Sequence, residues 1–169
     1  MPSVLVRYVR YVDLMNNWLG KVLRFSALAI IGILLVEIVS RYIFNAPTLW
    51  AIEMATFILG AYFFIGGGYV LLREGHIRMD ILYHRWSPRT RAIVGVATFF
   101  LAVIYLVTFI WGGIIDASYS LTFNQHSGSN WAPALAPIKI ILVIGAFVLL
   151  LQASSFFIKD LATIRRKKI

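Results

Sequence analysis

Cysteine is absent and charge is scarce. With no Cys in 169 residues, disulfides, thiolate chemistry and iron–sulfur ligation are excluded, and the redox compartment is left open. Charged residues make up 14% of the chain and apolar residues 60%, whereas a soluble domain is roughly one quarter charged. With a mean hydropathy of +0.82, this is the composition of an integral membrane protein. The length admits about four spans of roughly 20 residues with short connections, and no soluble domain besides. Acids are scarcer than bases, 7 against 16, for a net charge of +9. Such a surplus suits nucleic acid when it stands on a polar fold, but here the basic residues flank apolar runs, so no nucleic-acid partner is expected. Also missing are a Gly-rich phosphate loop, a nucleophile beside a base, and paired catalytic carboxylates in one plausible site, which argues against an enzyme.

What is present is an all-α pattern: a single membrane domain over residues 1–169, with spans at about 23–44, 49–72, 92–115 and 138–158. A loop at 73–91 and a second at 116–137 connect them. The stretch YVLLREGHIRMDILYHRWSPRTR carries Arg73, Arg78, Arg85, Arg89 and Arg91 between two apolar runs. Lys and Arg close to a span favour the cytoplasmic side, so this loop sets the orientation of the rest. Arg7, Arg10, Lys21 and Arg24 before the first span, and Lys159, Arg165, Arg166, Lys167 and Lys168 in the tail, fall on the same side. Only Arg41 and Lys139 fall outside, so both termini are expected in the cytoplasm and the 116–137 loop in the periplasm. Lys139 is near enough to the outer end of its span for the ammonium to reach water.

Residues 4–21 alternate at helical spacing, with Leu5, Tyr8, Val9, Val12, Met15 and Leu19 on one side and Arg7, Arg10, Asp13, Asn17 and Lys21 on the other. The pattern predicts a short basic amphipathic helix in the headgroup region. A removable signal segment is the competing reading. The apolar run that follows is span-length, leads into Glu37 and Arg41 and lacks a small-residue cleavage pattern, which argues against it. In the central loop, Met79, Leu82, Tyr83 and Trp86 share one helical face and His76, Asp80 and His84 another, predicting a second interfacial helix. The His–Asp–His row has metal-ligand spacing, but nothing else in the chain completes a site and the wet face of an interfacial helix is ordinarily polar. Ser87-Pro88 reads as an N-cap and first helical position.

Glu37 is the one acid in the core of the first run. An ionisable group in a bilayer is by default a functional candidate, yet Arg41 follows one turn later on the same face, and that pairing is the favoured reading. Asn45, Pro47 and Thr48 supply turn chemistry, Trp50 is an interfacial aromatic, and Glu53 lies about one turn into the second run. In a tight hairpin Glu53 and Arg41 come to similar depth. An Arg41–Glu53 pair clamping the hairpin is therefore expected, with Glu37 as the rival partner. Gly60, Gly66, Gly67 and Gly68 remove bulk so that another helix backbone can approach. These observations alone support an accessory or scaffold subunit. A self-contained four-helix proton-coupled exporter using Glu37 is the alternative. A haem-bearing anchor would need histidines within spans, and His76, His84 and His126 all fall in loops.

Two runs add a resemblance. RYIFNAPTLWAIE contributes Arg41, Tyr42, Phe44, Asn45, Pro47, Trp50 and Glu53; GGGYVLLREGHIRMD contributes Tyr69, Arg73, Gly75, His76, Ile77, Arg78 and Asp80. Together with Trp131, Pro133 and Pro137 before the last run, they resemble the small membrane subunit, the Q-type small permease, of tripartite ATP-independent periplasmic (TRAP) transporters. Met79 stands where a β-branched residue is expected, and Glu37 and the Gly triplet have no counterpart in the pattern. The resemblance implies a bacterial inner-membrane protein beside a large multi-span permease, served by a periplasmic binding protein for an organic acid. The ion coupling, usually sodium, resides in the large subunit. The small subunit is then a static scaffold with no cofactor of its own and no substrate-contacting residue. Its basic amphipathic segments suit anionic membrane lipids. Arg73, His76 and Asp80 would organise the inner turn.

Overall fold

The computed structural model describes residues 3–73 and 88–164. Four helices account for most of them: α1 (Ser3–Tyr42), α2 (Ala51–Leu72), α3 (Pro88–Thr122) and α4 (Ala136–Ile164). All four are long and apolar enough to cross a membrane. Among the described residues the β structure amounts to one isolated bridge, His126 to Ala134.

The helix ends follow local chemistry. α1 gives way to a turn in which Asn45 adopts a left-handed φ of 48°, a conformation Asn tolerates better than most residues. The Ala46 N–H reaches back to the Ser40 carbonyl at 2.9 Å. α3 stops at Asn124, φ 45°, with Gln125 N–H donating to Ser120 O at 3.0 Å. That is the Schellman arrangement that satisfies a terminal carbonyl. Pro88 opens α3 as the first helical residue, where its missing N–H costs nothing.

α4 packs against all three other helices, and α1 and α2 form an antiparallel hairpin. Side-chain contacts run Gly60 to Ile138 and Gly67 to Leu149, so α2 and α4 are parallel; Gly113 to Val143 and Phe99 to Phe157 make α3 and α4 antiparallel. The helices thus form a layer centred on α2 and α4, with α3 against α4 and with α1 against α2 and also against α4. Residues 3, 72, 88 and 164 share one end, here the terminal end. The α1–α2 and α3–α4 connections share the other, the turn end. A third of the most apolar stretch of α4 is buried inside the protein, against 6% for α1 and for α3.

Several expectations are revised. Residues 4–21 do not form a separate short helix: α1 runs unbroken for 40 residues, about 60 Å at 1.5 Å per residue. Val9, Val12 and Asn16 are buried, so the face expected against headgroups packs inside the protein, and polar Asn16 goes with it. α3 continues past residue 115 to Thr122, and α4 past 158 to Ile164. The expected interfacial helix of the central loop lies at residues 74–87, outside the described residues.

The glycine reading is also revised. A Cβ on Gly60, Gly66 or Gly67 would meet only side-chain atoms at 3.6–3.9 Å, ordinary contact. Gly68 does need its hydrogen, but what it admits is the Asn16 side chain. The close backbone approach belongs instead to Gly145 on α4, where a Cβ would stand 2.8 Å from the Phe64 carbonyl carbon.

Candidate functional site

Polar chemistry collects at the two ends of the helix layer. At the turn end, Glu37 is 4% exposed and saturated. One carboxylate oxygen accepts from Arg41 Nε at 2.8 Å and from an Arg41 terminal nitrogen. The other accepts from the Thr48 backbone N–H at 2.9 Å and from the Thr48 hydroxyl. Pairing one turn apart on a helix accounts for the first contact. The second fastens the start of the hairpin's return, so Glu37 holds the α1–α2 turn.

Arg41 therefore does not clamp Glu53. Glu53 accepts hydrogen bonds from the hydroxyls of Ser127 and Ser129, the latter at 2.7 Å. The expected pair fails because Arg41 has a partner on its own helix, already at the right spacing. Glu53 instead holds the α3–α4 connection against α2. That connection is ordered by its own bonds: Ser127 N–H to Pro133 O at 2.9 Å and Leu135 N–H to Gln125 O at 3.0 Å, and His126 Nδ1 against Ala132 O at 2.8 Å. Lys139, expected to reach water, lies 2.8 Å from both Asp116 Oδ1 and Gln125 Oε1, with its side chain 18% exposed. Pro47 is exposed and Trp50 is 37% exposed immediately before α2.

The terminal end holds a network that the sequence reading missed. Asp13 accepts from Lys159 Nζ at 2.7 Å, Gln152 Nε2 at 3.0 Å and Ser155 Oγ at 3.1 Å. Asn16 Nδ2 donates to Gln152 Oε1 at 2.8 Å. Asn16, Gln152 and Ser155 are fully buried. The signal was present in Gln152, an amide inside an apolar run; an amide there has to find partners. Tyr69, singled out above, packs its ring on Gly20, and Arg73 closes α2 with its guanidinium 5.5 Å from the Tyr69 ring. Gly75, His76, Arg78, Asp80 and His84 lie outside the described residues.

Between the two ends, a groove of about 640 Å³ runs between α1 and α3 over α2 and α4. Among the described residues it is lined by apolar and aromatic side chains with Lys21 and Arg24, and by no carboxylate or imidazole. Among the described residues no group of three or more His, Cys, Asp or Glu could hold a metal ion. Among the described residues the arrangement offers structural ion pairs at both ends and an apolar middle, with no metal cluster and no acid in the groove.

Over 143 residues the chain is 26% identical to the sialic acid TRAP transporter permease protein SiaT of Haemophilus influenzae (strain 86-028NP). The match covers 83% of this chain and 23% of that protein, so the chain spans about a quarter of the length of the curated relative it matches. No solved structure matches. Residues 30–163 match the family described as tripartite ATP-independent periplasmic transporters, DctQ component, and with that match covering most of its length the chain belongs to the DctQ component family of the TRAP transporters.

Proposed function

We propose that this multi-pass bacterial membrane protein is the small subunit that braces a large, ion-coupled permease during binding-protein-dependent uptake of an organic acid. The observation that carries the reading is the state of Glu37. Among the described residues it is the one buried acid, and Arg41 and Thr48 occupy both its oxygens. Self-sufficient transporters keep ionisable groups or broken helices near mid-membrane for substrate or coupling ion. Here α1 and α3 instead offer long apolar faces. The relative's name associates a segment like this one with a sialic acid permease about four times as long. The remaining three-quarters of that protein is of the size a multi-span translocating subunit needs.

In this reading the terminal end faces the cytoplasm of the inner membrane, following the basic residues. The turn end, with the loop held by Glu53, faces the periplasm, where a binding protein delivers its carboxylate. Sodium coupling belongs to the large subunit. Proteoliposomes test the assignment. Carboxylate uptake is expected with the large subunit, the binding protein and this chain together, and to fall sharply when this chain is omitted. Solute flux by this chain alone, abolished by Glu37→Gln, would replace the brace with the exporter.

A further inference from the structure

The terminal end carries a cleft that no step of the proposed function uses. It has a volume of about 580 Å³ between α1, α2 and α4, and its lining includes Arg10, Asp13, Arg73 and Lys159. Among the described residues Asp13 is the only acid in the lining, and Lys159, Gln152 and Ser155 already bond to it. Arg10 is exposed, and among the described residues no carboxylate is bonded to it or to Arg73. The Arg73 guanidinium rests against the Tyr69 ring at 5.5 Å and makes one long contact, 3.4 Å, to Asn17 Oδ1. Fixed in this way, a planar guanidinium can present paired N–H groups to a phosphate.

Depth and lining narrow the occupant. Glu53 and Arg73 are 20 positions apart on one helix, about 30 Å, which is the thickness of the hydrocarbon layer. With Glu53 at one interface, Arg73 stands at the headgroup level of the other. Val6, Val9 and Leu72 share the lining, giving the cleft an apolar wall under a cationic rim. Free phosphate has no use for such a wall, whereas a phospholipid needs both parts. We propose that the cleft is a binding site for an anionic phospholipid, with its phosphate on Arg10 and Arg73 and its glycerol and upper acyl carbons along Val6, Val9 and Leu72. Lys159 stays with Asp13 and adds positive potential. The assignment to the cytoplasmic leaflet rests on the orientation proposed above; the binding itself does not.

Native mass spectrometry of the detergent-purified full chain tests the site, with phosphatidylglycerol, phosphatidylcholine and inorganic phosphate added separately. The wild type should retain one phosphatidylglycerol in preference to phosphatidylcholine. Arg10→Gln with Arg73→Gln should weaken that retention about thirtyfold, at roughly one factor of five per surface cation. Arg10→Lys with Arg73→Lys should keep most of it, and Lys21→Gln with Arg24→Gln should leave it unchanged. Equal retention of the two lipids by the wild type would overturn the proposal without reference to any variant. So would displacement of phosphatidylglycerol by millimolar phosphate, or an equal loss in the Lys21/Arg24 variant. A failure here leaves the transport assignment standing, because that is read from flux.

Discussion

Gly145 is where α4 passes closest to the backbone of α2, and filling it tests the helix packing directly. A Cβ there would stand 2.8 Å from the carbonyl carbon and Cβ of Phe64 and 2.9 Å from the Ile65 nitrogen. Non-bonded carbon atoms prefer about 3.5–4.0 Å, so Gly145→Ala has to open the α2–α4 spacing by roughly 0.7–1.2 Å. Most of the obstructing atoms are backbone, and no rotamer change relieves them. Overpacking of this kind costs about 1–3 kcal/mol, against a helix-propensity gain of up to about 1 kcal/mol for replacing Gly by Ala. Because backbone cannot swing aside, the cost falls in the upper part of that range, about 2–3 kcal/mol, so the net loss is about 1–2 kcal/mol, or roughly a 5- to 30-fold shift in the folded-to-unfolded ratio. Gly112→Ala on α3 is the control, since a Cβ there meets nothing within 4 Å. Equilibrium unfolding of the purified chain in mixed detergent micelles, followed by circular dichroism as the denaturing detergent fraction rises, reads both. Gly145→Ala should unfold earlier than the parent, and Gly112→Ala at the same point or later. Equal stability of Gly145→Ala and parent, or an equal loss in both variants, would refute the packing argument.

Three further outcomes follow from the polar clusters. Gln152→Leu removes one of the two acceptors of the buried Asn16 Nδ2, leaving the Val12 carbonyl, and removes a donor from Asp13, a loss of about 1–3 kcal/mol. Asn16→Leu combined with Gln152→Leu should cost less than the sum of the single changes in the same unfolding assay, and strict additivity would mean that the two amides do not interact. At the turn end, exchanging the charges of Arg41 and Glu37 should recover part of the melting temperature that Arg41→Glu loses. Exchanging those of Arg41 and Glu53 should recover none, and recovery there would restore the pairing that the structure rejects. Glu53→Gln weakens two charge-assisted bonds to Ser127 and Ser129, worth about 1–2 kcal/mol together once partial exposure is allowed for. Limited proteolysis should then cut the 123–135 segment faster, and an unchanged rate would detach Glu53 from the loop.

The number of apolar helices was legible in the sequence because a run of some 20 apolar residues has few other uses in a chain with so little charge. So was the pairing of Glu37 with Arg41, which needs only the geometry of one helix. The partners that were missed all depend on which helices are neighbours. Glu53 faces Ser127 and Ser129 across 74 and 76 positions of chain, and no local spacing encodes that. Asp13 looked like part of a solvated face because amphipathic periodicity does not distinguish water from the polar side of another helix. Gln152 and Ser155, on α4, supply that polar side. The Gly66-Gly67-Gly68 triplet drew attention as a cluster, whereas the glycine held closest to another backbone stands alone in α4.

In lipid an apolar helix face gains little from meeting another, since acyl chains solvate it equally well. Association therefore depends on tight packing and on bonds between polar groups. The distribution of contacts here follows that rule. α2 and α4 meet at Gly145, backbone against side chain and backbone. α1 is held at one end through Glu37 and at the other through the Asp13–Lys159 pair. α3 is joined to α4 through the Phe99–Phe157 stack, centroids 4.3 Å apart, and through Lys139 and Asp116. A layer fixed at both ends and at its centre resists shear between its helices, while many large apolar side chains stay exposed along α1 and α3. Those are the mechanical requirements of the brace proposed above. In that reading, polar residues concentrate where the helices must not slide rather than at mid-membrane.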